Sequence, residues 1–316
     1  MRRILHDTHF DFMGSRHKAF RSTVVALLIG LAIAIMWEFT RGSWLNYGVD
    51  FAGGTLIQVQ IAGQATDADL RAVIEPQIPN AEVNKFGDGN EFLIRTPQST
   101  ETAQNAGDIV PQLLRDRFGA SSVEVVNIEF VGAKVGGELQ ARAIMAILLS
   151  FLATLIYLAF RMEWRFGLAA IMATAYDVVF TVLFISALQL EVALPMVAAV
   201  LTIVGYSMND KVVVFDRVRE NLRATGRRED FETLLNRSIN ETLPRTTLTG
   251  TTTLATLFSL FIFTEGLLRD FSLVLIFGII LGTFSSIFVA SPALLEIERR
   301  WPAERKKVRI AKVRTA

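Results

Sequence analysis

Six blocks of apolar residues dominate the chain, at approximately 22–39, 139–160, 167–187, 193–215, 246–264 and 271–293. Each approaches or exceeds the roughly 18 to 20 residues that a helix needs to cross about 30 Å of hydrocarbon. The pattern predicts a polytopic α-helical membrane protein with six transmembrane helices. The first block, "STVVALLIGLAIAIMWEF", follows a basic tail. It is longer than the usual signal core of about 7 to 15 residues. Its small-x-small triplet, Ala32 to Ala34, lies inside the run and not after it. It is expected to be a retained anchor.

Between the first two blocks the period changes from helical to alternating. In "LIQVQI", Ile57, Val59 and Ile61 alternate with Gln58 and Gln60, as in a half-buried strand. "TDADLRAVIEPQI" predicts a helix capped by Thr66, with Asp69 three residues on. Strands follow at "AEVNKF" and "EFLIRT", then a helix across "TETAQNAGDIVPQLLRDRFG" and a strand at "SVEVVNIEFVG". The order β, α, β, β, α, β predicts a small α+β ferredoxin-like domain over residues 40–135. Before it stands "NYGVDFAGGTLI", where Gly48, Gly53 and Gly54 suit either a bulge with close packing or a hinge. No helix start and no Lys-Ser/Thr pair follow these glycines, so the segment is no phosphate loop.

Charge sets the expected orientation. Of 32 Lys and Arg, five lie in residues 1–21, two in 161–166, eight in 211–245 and eight in 299–316. The short turns 188–194 and 265–270 together hold only Arg269. The positive-inside rule therefore places both termini in the cytoplasm and exports residues 40–135 as a periplasmic domain. The expected organisation is a cytoplasmic tail 1–21, a first span 22–39, the exported domain, and a five-helix region 136–295 with a cytoplasmic loop 216–245. A basic tail, 296–316, closes the chain. In that loop Phe231, Leu234, Leu235 and Ile239 form an apolar face expected to rest on the inner membrane surface and cap the bundle. Near balance of 32 basic and 31 acidic residues gives no argument for nucleic acid. There is no cysteine, and the three His, at 6, 9 and 17, lie in the N-terminal tail. No catalytic constellation stands out, so the chain is expected to be no enzyme and to carry no cofactor or metal.

The candidate chemistry lies inside the membrane blocks. "GYSMNDKVVVFDRVREN" puts Asp210 and Lys211 at the end of the fourth block, where an ionisable group is costly and marks function by default. Ser207 and Tyr206 lie one turn before Asp210, next to Asn209, so one face of this helix is polar and should need a facing partner. Lys211 points roughly 100° away and is expected to snorkel to the interface. Asp177 in "MATAYDVVFTVLF" is a second intramembrane carboxylate. In the fifth block Arg245 heads a row of Thr246, Thr249, Thr253 and Thr256, which could line a hydrated path or serve helix packing. Gly278, Gly282 and Ser285 in the sixth form a small-residue stripe for close packing.

"YGVDFAGGT", "GYSMNDKVVVFDRVREN" and "RTTLTGTTTL", with six spans and one loop domain after the first, closely resemble the SecD/SecF family of protein-export membrane proteins, and within it the shorter SecF type. The resemblance covers nearly the whole chain. It implies half of a bundle of the resistance-nodulation-division (RND) superfamily, completed by SecD. It also implies a bacterial inner-membrane location, association with the SecYEG channel, YajC as a candidate partner, and SecA acting indirectly. Contact with exported unfolded polypeptide, and use of the proton gradient to draw it outward, complete that picture, with H⁺ or Na⁺ left open as coupling ion. The family's relay carboxylate and its partner arginine map onto Asp210 and Arg245. This sequence departs from the family pattern at Lys211, where a small hydroxyl is usual, and at Tyr176, where His often precedes the carboxylate. The alternative from another class is a half-size RND-type transporter of a small molecule or lipid. Against it, an exported unit of about 95 residues has little room for a ligand pocket of about 300 Å³.

Overall fold

The computed structural model describes residues 8–63, 65–79, 81–86, 90–96, 105–225 and 229–302. Among the described residues, six helices are long and apolar enough to cross a membrane. They are α1 (Arg16–Arg41), α5 (Ala133–Arg161), α6 (Trp164–Leu188), α7 (Leu194–Thr225), α8 (Phe231–Phe263) and α9 (Gly266–Ser285). The last continues through a π-helical turn, Ser286–Ala290, into α10 (Ser291–Arg300). Two cores hold the bundle together. One packs Leu158, Phe166, Phe215, Leu235 and Leu294, and the other Ile185, Met196, Ile203, Val274 and Ile279. Leu28, Ile144, Leu148, Phe160 and Ile262 are exposed, as helices surrounded by lipid require.

Between α1 and α5 the chain builds a separate α+β unit. Its elements are β1 (Asn46–Tyr47), α2 (Val49–Ala52), β2 (Gly54–Ile61), α3 (Asp67–Ile74), β3 (Glu82–Phe86), β4 (Glu91–Thr96), α4 (Ala106–Phe118) and β5 (Val123–Val131). The four longer strands form an antiparallel sheet in the order β3-β4-β2-β5, with a register shift at Gln58/Val59. The alternation in β2 buries Ile57, Val59 and Ile61 against Leu70 and Ile74 of α3 and Val110 and Leu114 of α4. Thr66 caps α3 as its sequence implies: the Asp69 N–H donates to Thr66 Oγ1, and the Thr66 N–H donates to Asp69 Oδ2 at 3.0 Å. The start of the helix expected across 100–119 and most of the basic tail 296–316 lie outside the described residues.

The unit is tied down where it meets the bundle. β1 pairs in parallel with β6 (Glu191–Val192), the link between α6 and α7, and the Gly48 N–H donates to Val192 O at 2.9 Å. Ser186 Oγ donates to Trp44 O at 2.6 Å, and the Leu194 N–H donates to Asp50 Oδ2 at 2.9 Å. Gly53 and Gly54 turn the chain at φ 75° and 131°, values that side chains rarely adopt. The same turn packs closely on α5, where a Cβ at Gly136 would stand 2.9 Å from Phe51 O. The glycine segment is thus packed against α5 in this conformation.

Two expectations need correction at the other end of the bundle. Residues 231–245 form no separate surface helix. α8 runs unbroken through Pro244, and α7 extends to Thr225. Leu234, Leu235 and Ile239 face inward, buried with Met13, Phe215 and Leu294 and not laid on a membrane surface. The N-terminal segment covers them. The Phe10 N–H donates to Asn240 Oδ1 at 3.0 Å, the Met13 N–H donates to Asn236 Oδ1 at 2.9 Å, and Arg16 pairs with Glu232.

Candidate functional site: a buried polar centre in the bundle

Ser207, Asp210 and Lys211 of α7 project into the bundle toward α6 and α9. Asp210 is 2% exposed, and its Oδ2 accepts a hydrogen bond from Thr283 Oγ1 of α9 at 3.1 Å. It makes no ion pair among the described residues. Isolated burial of a carboxylate is costly, so a single hydroxyl donor is meagre company.

Lys211 overturns the expectation that it snorkels. Its side chain is wholly buried and forms an ion pair with Asp177 Oδ2 of α6 at 2.7 Å. Its ammonium also donates to Ser207 Oγ and to Ser285 Oγ of α9, the latter at 3.0 Å. Ser207 and Ser285 in turn donate to Asp177 Oδ2, from 2.9 Å in the case of Ser285. Three helices therefore meet on one carboxylate oxygen. The other, Oδ1, is buried without a hydrogen-bond partner. Gly282 makes the meeting feasible, because a Cβ there would lie 3.0 Å from Ser207 Cβ. The small-residue stripe thus packs as expected, with Ser285 contributing a donor as well.

Residue spacing held signals for this cluster. Ser207 and Lys211 are four apart and share a face, although Ser207 also lies within one turn of Asp210. A buried lysine and a buried aspartate on neighbouring spans are natural partners, since intramembrane charges pair with one another. Thr283 carried no such signal.

Other candidates lie elsewhere. Arg245 is exposed on α8 and is not brought to Asp210. It nevertheless stands at a similar level. Tyr206 OH faces Gly250, and one turn back along α8 and forward along α7 lead to the buried Thr246 and to Asp210. Thr249 Oγ1 and Thr253 Oγ1 donate at 2.9 Å to the carbonyls of Arg245 and Thr249, so those hydroxyls are satisfied by their own helix. Asn209 is exposed on the outer side of α7. Much of the polar face of α7 is therefore covered from within the chain, by α6 and α9. Polar groups left outside include Asn209 on α7 and Arg245, Thr249 and Thr256 on α8. Tyr176 takes no part in the cluster; its ring lies 4.3 Å from that of Phe180. Among the described residues no group of His, Cys, Asp and Glu could hold a metal.

Six spans, buried charges on the inner helices and an α+β unit inserted after the first span define a polytopic helical membrane protein with an intramembrane ionisable centre. Residues 112–300 match the family described as protein export membrane protein SecD/SecF, C-terminal, and residues 42–65 match the SecD/SecF GG motif. The chain belongs to the SecD/SecF family, and protein export is its field of action. It is 42% identical over 309 residues to "Protein translocase subunit SecF" of Gemmatimonas aurantiaca, covering 96% of this chain and 91% of the relative. It is 41% identical to the protein of the same name from Vibrio alginolyticus, covering 88% of each. Its fold matches a crystal structure of SecDF, a translocon-associated membrane protein from Thermus thermophilus, with TM-score 0.80 and 34% identity. That match covers 93% of this chain and 39% of the SecDF chain, so this chain spans about two fifths of it.

Proposed function

We propose that the chain is a SecF-type subunit of the protein-export machinery that assembles with a SecD-type partner and uses the proton gradient to assist late, outward movement of exported polypeptides. The observation that carries this is Asp210, a buried carboxylate with a hydroxyl donor and no ion pair among the described residues. Such a group has two tolerable states: proton bound, or ionised beside a cation brought to it. Arg245, exposed at the level of Asp210, is that cation, engaged when a facing partner closes over α7 and α8. Asp177, with its own lysine, plays a supporting part in the relay.

Three features support a partner. Asn209, Arg245 and Thr249 are polar groups on a surface that lipid would otherwise cover. The edge strand β5 exposes Val126, Ile128 and Phe130. The SecDF structures carry a further three fifths of chain alongside the part that matches this one. The strand order and the two helices on one face support a ferredoxin-like unit. The distribution of Lys and Arg supports its location in the periplasm, with both termini cytoplasmic. The SecYEG channel is the expected docking site for the pair, YajC a further candidate partner, and SecA acts at an earlier step. No catalysis is assigned.

Energy is adequate. A membrane potential supplies about 2.3 kcal/mol per charge for each ~100 mV, more than the ~1.4 kcal/mol of a tenfold bias. Asp210→Asn keeps the shape and removes the proton site. In native membranes it should assemble with its partner and lose gradient-dependent stimulation of export. Arg245→Ala should do the same, and Arg245→Lys should be partly active. Export at the normal rate by Asp210→Asn under a full gradient would overturn the assignment.

A further inference from the structure

The oxygens around the Lys211 ammonium form a set that a metal ion would also accept. They are a carboxylate oxygen of Asp177 at 2.7 Å, the hydroxyls of Ser207 and Ser285, and the Ser207 carbonyl at 3.4 Å. Asp177, Ser207, Lys211 and Ser285 are each at most 1% exposed, and the oxygens come from three different spans. Hard cations select such carboxylate, hydroxyl and carbonyl oxygens, and one carboxylate balances one positive charge, which makes the fitting ion monovalent.

We infer that Lys211 is a tethered monovalent cation: its ammonium fills an oxygen-lined pocket between α6, α7 and α9 that would otherwise take a free sodium ion. Three ammonium protons are shared among four acceptors, Asp177 Oδ2, Ser207 Oγ, Ser285 Oγ and the more distant Ser207 O, so the donor capacity is used up. Asp177 Oδ1 is left without a donor. A fork of directed protons leaves that oxygen idle, whereas a spherical ion can bind a carboxylate through both oxygens as well as through one. The idle oxygen points to a pocket suited to an ion and occupied by a side chain. The consequence for coupling is that sodium finds this pocket closed, so an external ion that acts within the membrane must act at a carboxylate other than Asp177. The inference concerns binding at Asp177 and stands whether or not Asp210 carries protons.

The test uses the full chain, purified with any partner it retains, and compares sodium chloride with potassium and choline chlorides at equal ionic strength. Unfolding midpoint and binding of radioactive sodium are both read. The wild type should show neither a sodium-specific shift nor saturable sodium binding. Lys211→Ala should gain both, with a midpoint raised by several degrees in sodium alone, because an ion bound only by the folded state stabilises it. The double variant Lys211→Ala/Asp177→Asn, with no charge in the pocket, should lose both. A purely structural ion pair would give Lys211→Ala no preference among the three salts, and that result overturns the inference. So does saturable sodium binding by the wild type that Asp177→Asn abolishes. If Lys211→Ala folds only in sodium, the inference is upheld. If it folds in none of the salts, whatever the double variant does, sodium cannot replace the ammonium and the inference fails. Export is not read, so its dependence on Asp210 cannot confuse the outcome.

Discussion

Glu191 joins the α+β unit to the bundle through one carboxylate. Arg95 leaves the sheet from β4 and pairs with Glu191, with further contacts to Glu82 at 3.1 Å and Asn46 Oδ1 at 3.4 Å. Burial pushes the Glu191 carboxyl above the ordinary carboxylate range, and Arg95 opposes that only in part. A carboxyl raised on folding is more easily ionised in the unfolded chain. The contribution of Glu191 to stability is therefore greatest at low pH and falls as pH climbs from the ordinary carboxylate value to the raised one. Glu191→Gln should flatten that part of the profile of unfolding midpoint against pH. Arg95→Ala should cost about 2 kcal/mol at neutral pH, since it leaves a largely buried carboxylate unpaired. If the Glu191→Gln profile parallels the wild type, another group sets the slope. Neither partner was legible in the sequence: Arg95 reads as a solvent-facing strand residue, and Glu191 lies in a short turn. Asp210 was legible because a carboxylate in an apolar run violates the local pattern. The burial of Lys211 was not, because a lysine near a helix end has two low-cost fates and only the neighbouring span decides between them.

At the scale of elements, the close approach of α7 and α9 rests on glycine. A Cβ at Gly282 would lie 3.0 Å from Ser207 Cβ, 3.2 Å from its Oγ and 3.3 Å from its Cα. Part of that obstacle is backbone, so Gly282→Ala must push α9 away and pull Ser285 from Asp177. It should cost about 1 to 3 kcal/mol by thermal unfolding. Gly137 in α5 has nothing within 4 Å of an added Cβ, so Gly137→Ala should instead stabilise by about 0.5 to 1 kcal/mol. Equal effects at the two positions would refute the packing argument. The strands and helices of the α+β unit could be read from the sequence because its sheet has one wet and one dry face, so period 2 shows, as it does at Ile57, Val59 and Ile61. The spans could be read from length alone. The continuity of α8 could not. Pro244 signals a break in water, yet a long helix packed against neighbours carries it. For the same reason the apolar face at Leu234 and Ile239 looked like a membrane-surface stripe, when it is covered by Met13 from an N-terminal tail some two hundred residues away in the chain.

For the whole molecule, the contacts between the α+β unit and the bundle decide whether the unit can move during export. β1 and β6 are in register at Tyr47↔Val192, between the Gly48 hydrogen bond to Val192 O and the Arg95–Glu191 pair. Motion that lifts the unit as a whole off the bundle, if it belongs to the proposed cycle, must break this two-stranded ribbon. The chain has no cysteine, so a Tyr47→Cys/Val192→Cys pair would be free of competing thiols. Neighbouring strands stand about 4.8 Å apart, within the Cα span of about 4.4 to 6.8 Å that a disulfide bridges. If the unit lies in the periplasm, the bond should form in cells without added oxidant. Export driven by the gradient should then fall several-fold, while the amount of folded protein and its association with the partner stay unchanged. A reductant should restore the rate. Full export with the bond demonstrably closed would mean that the unit works with β1 docked, so that any motion lies beyond it, about Gly53 and Gly54.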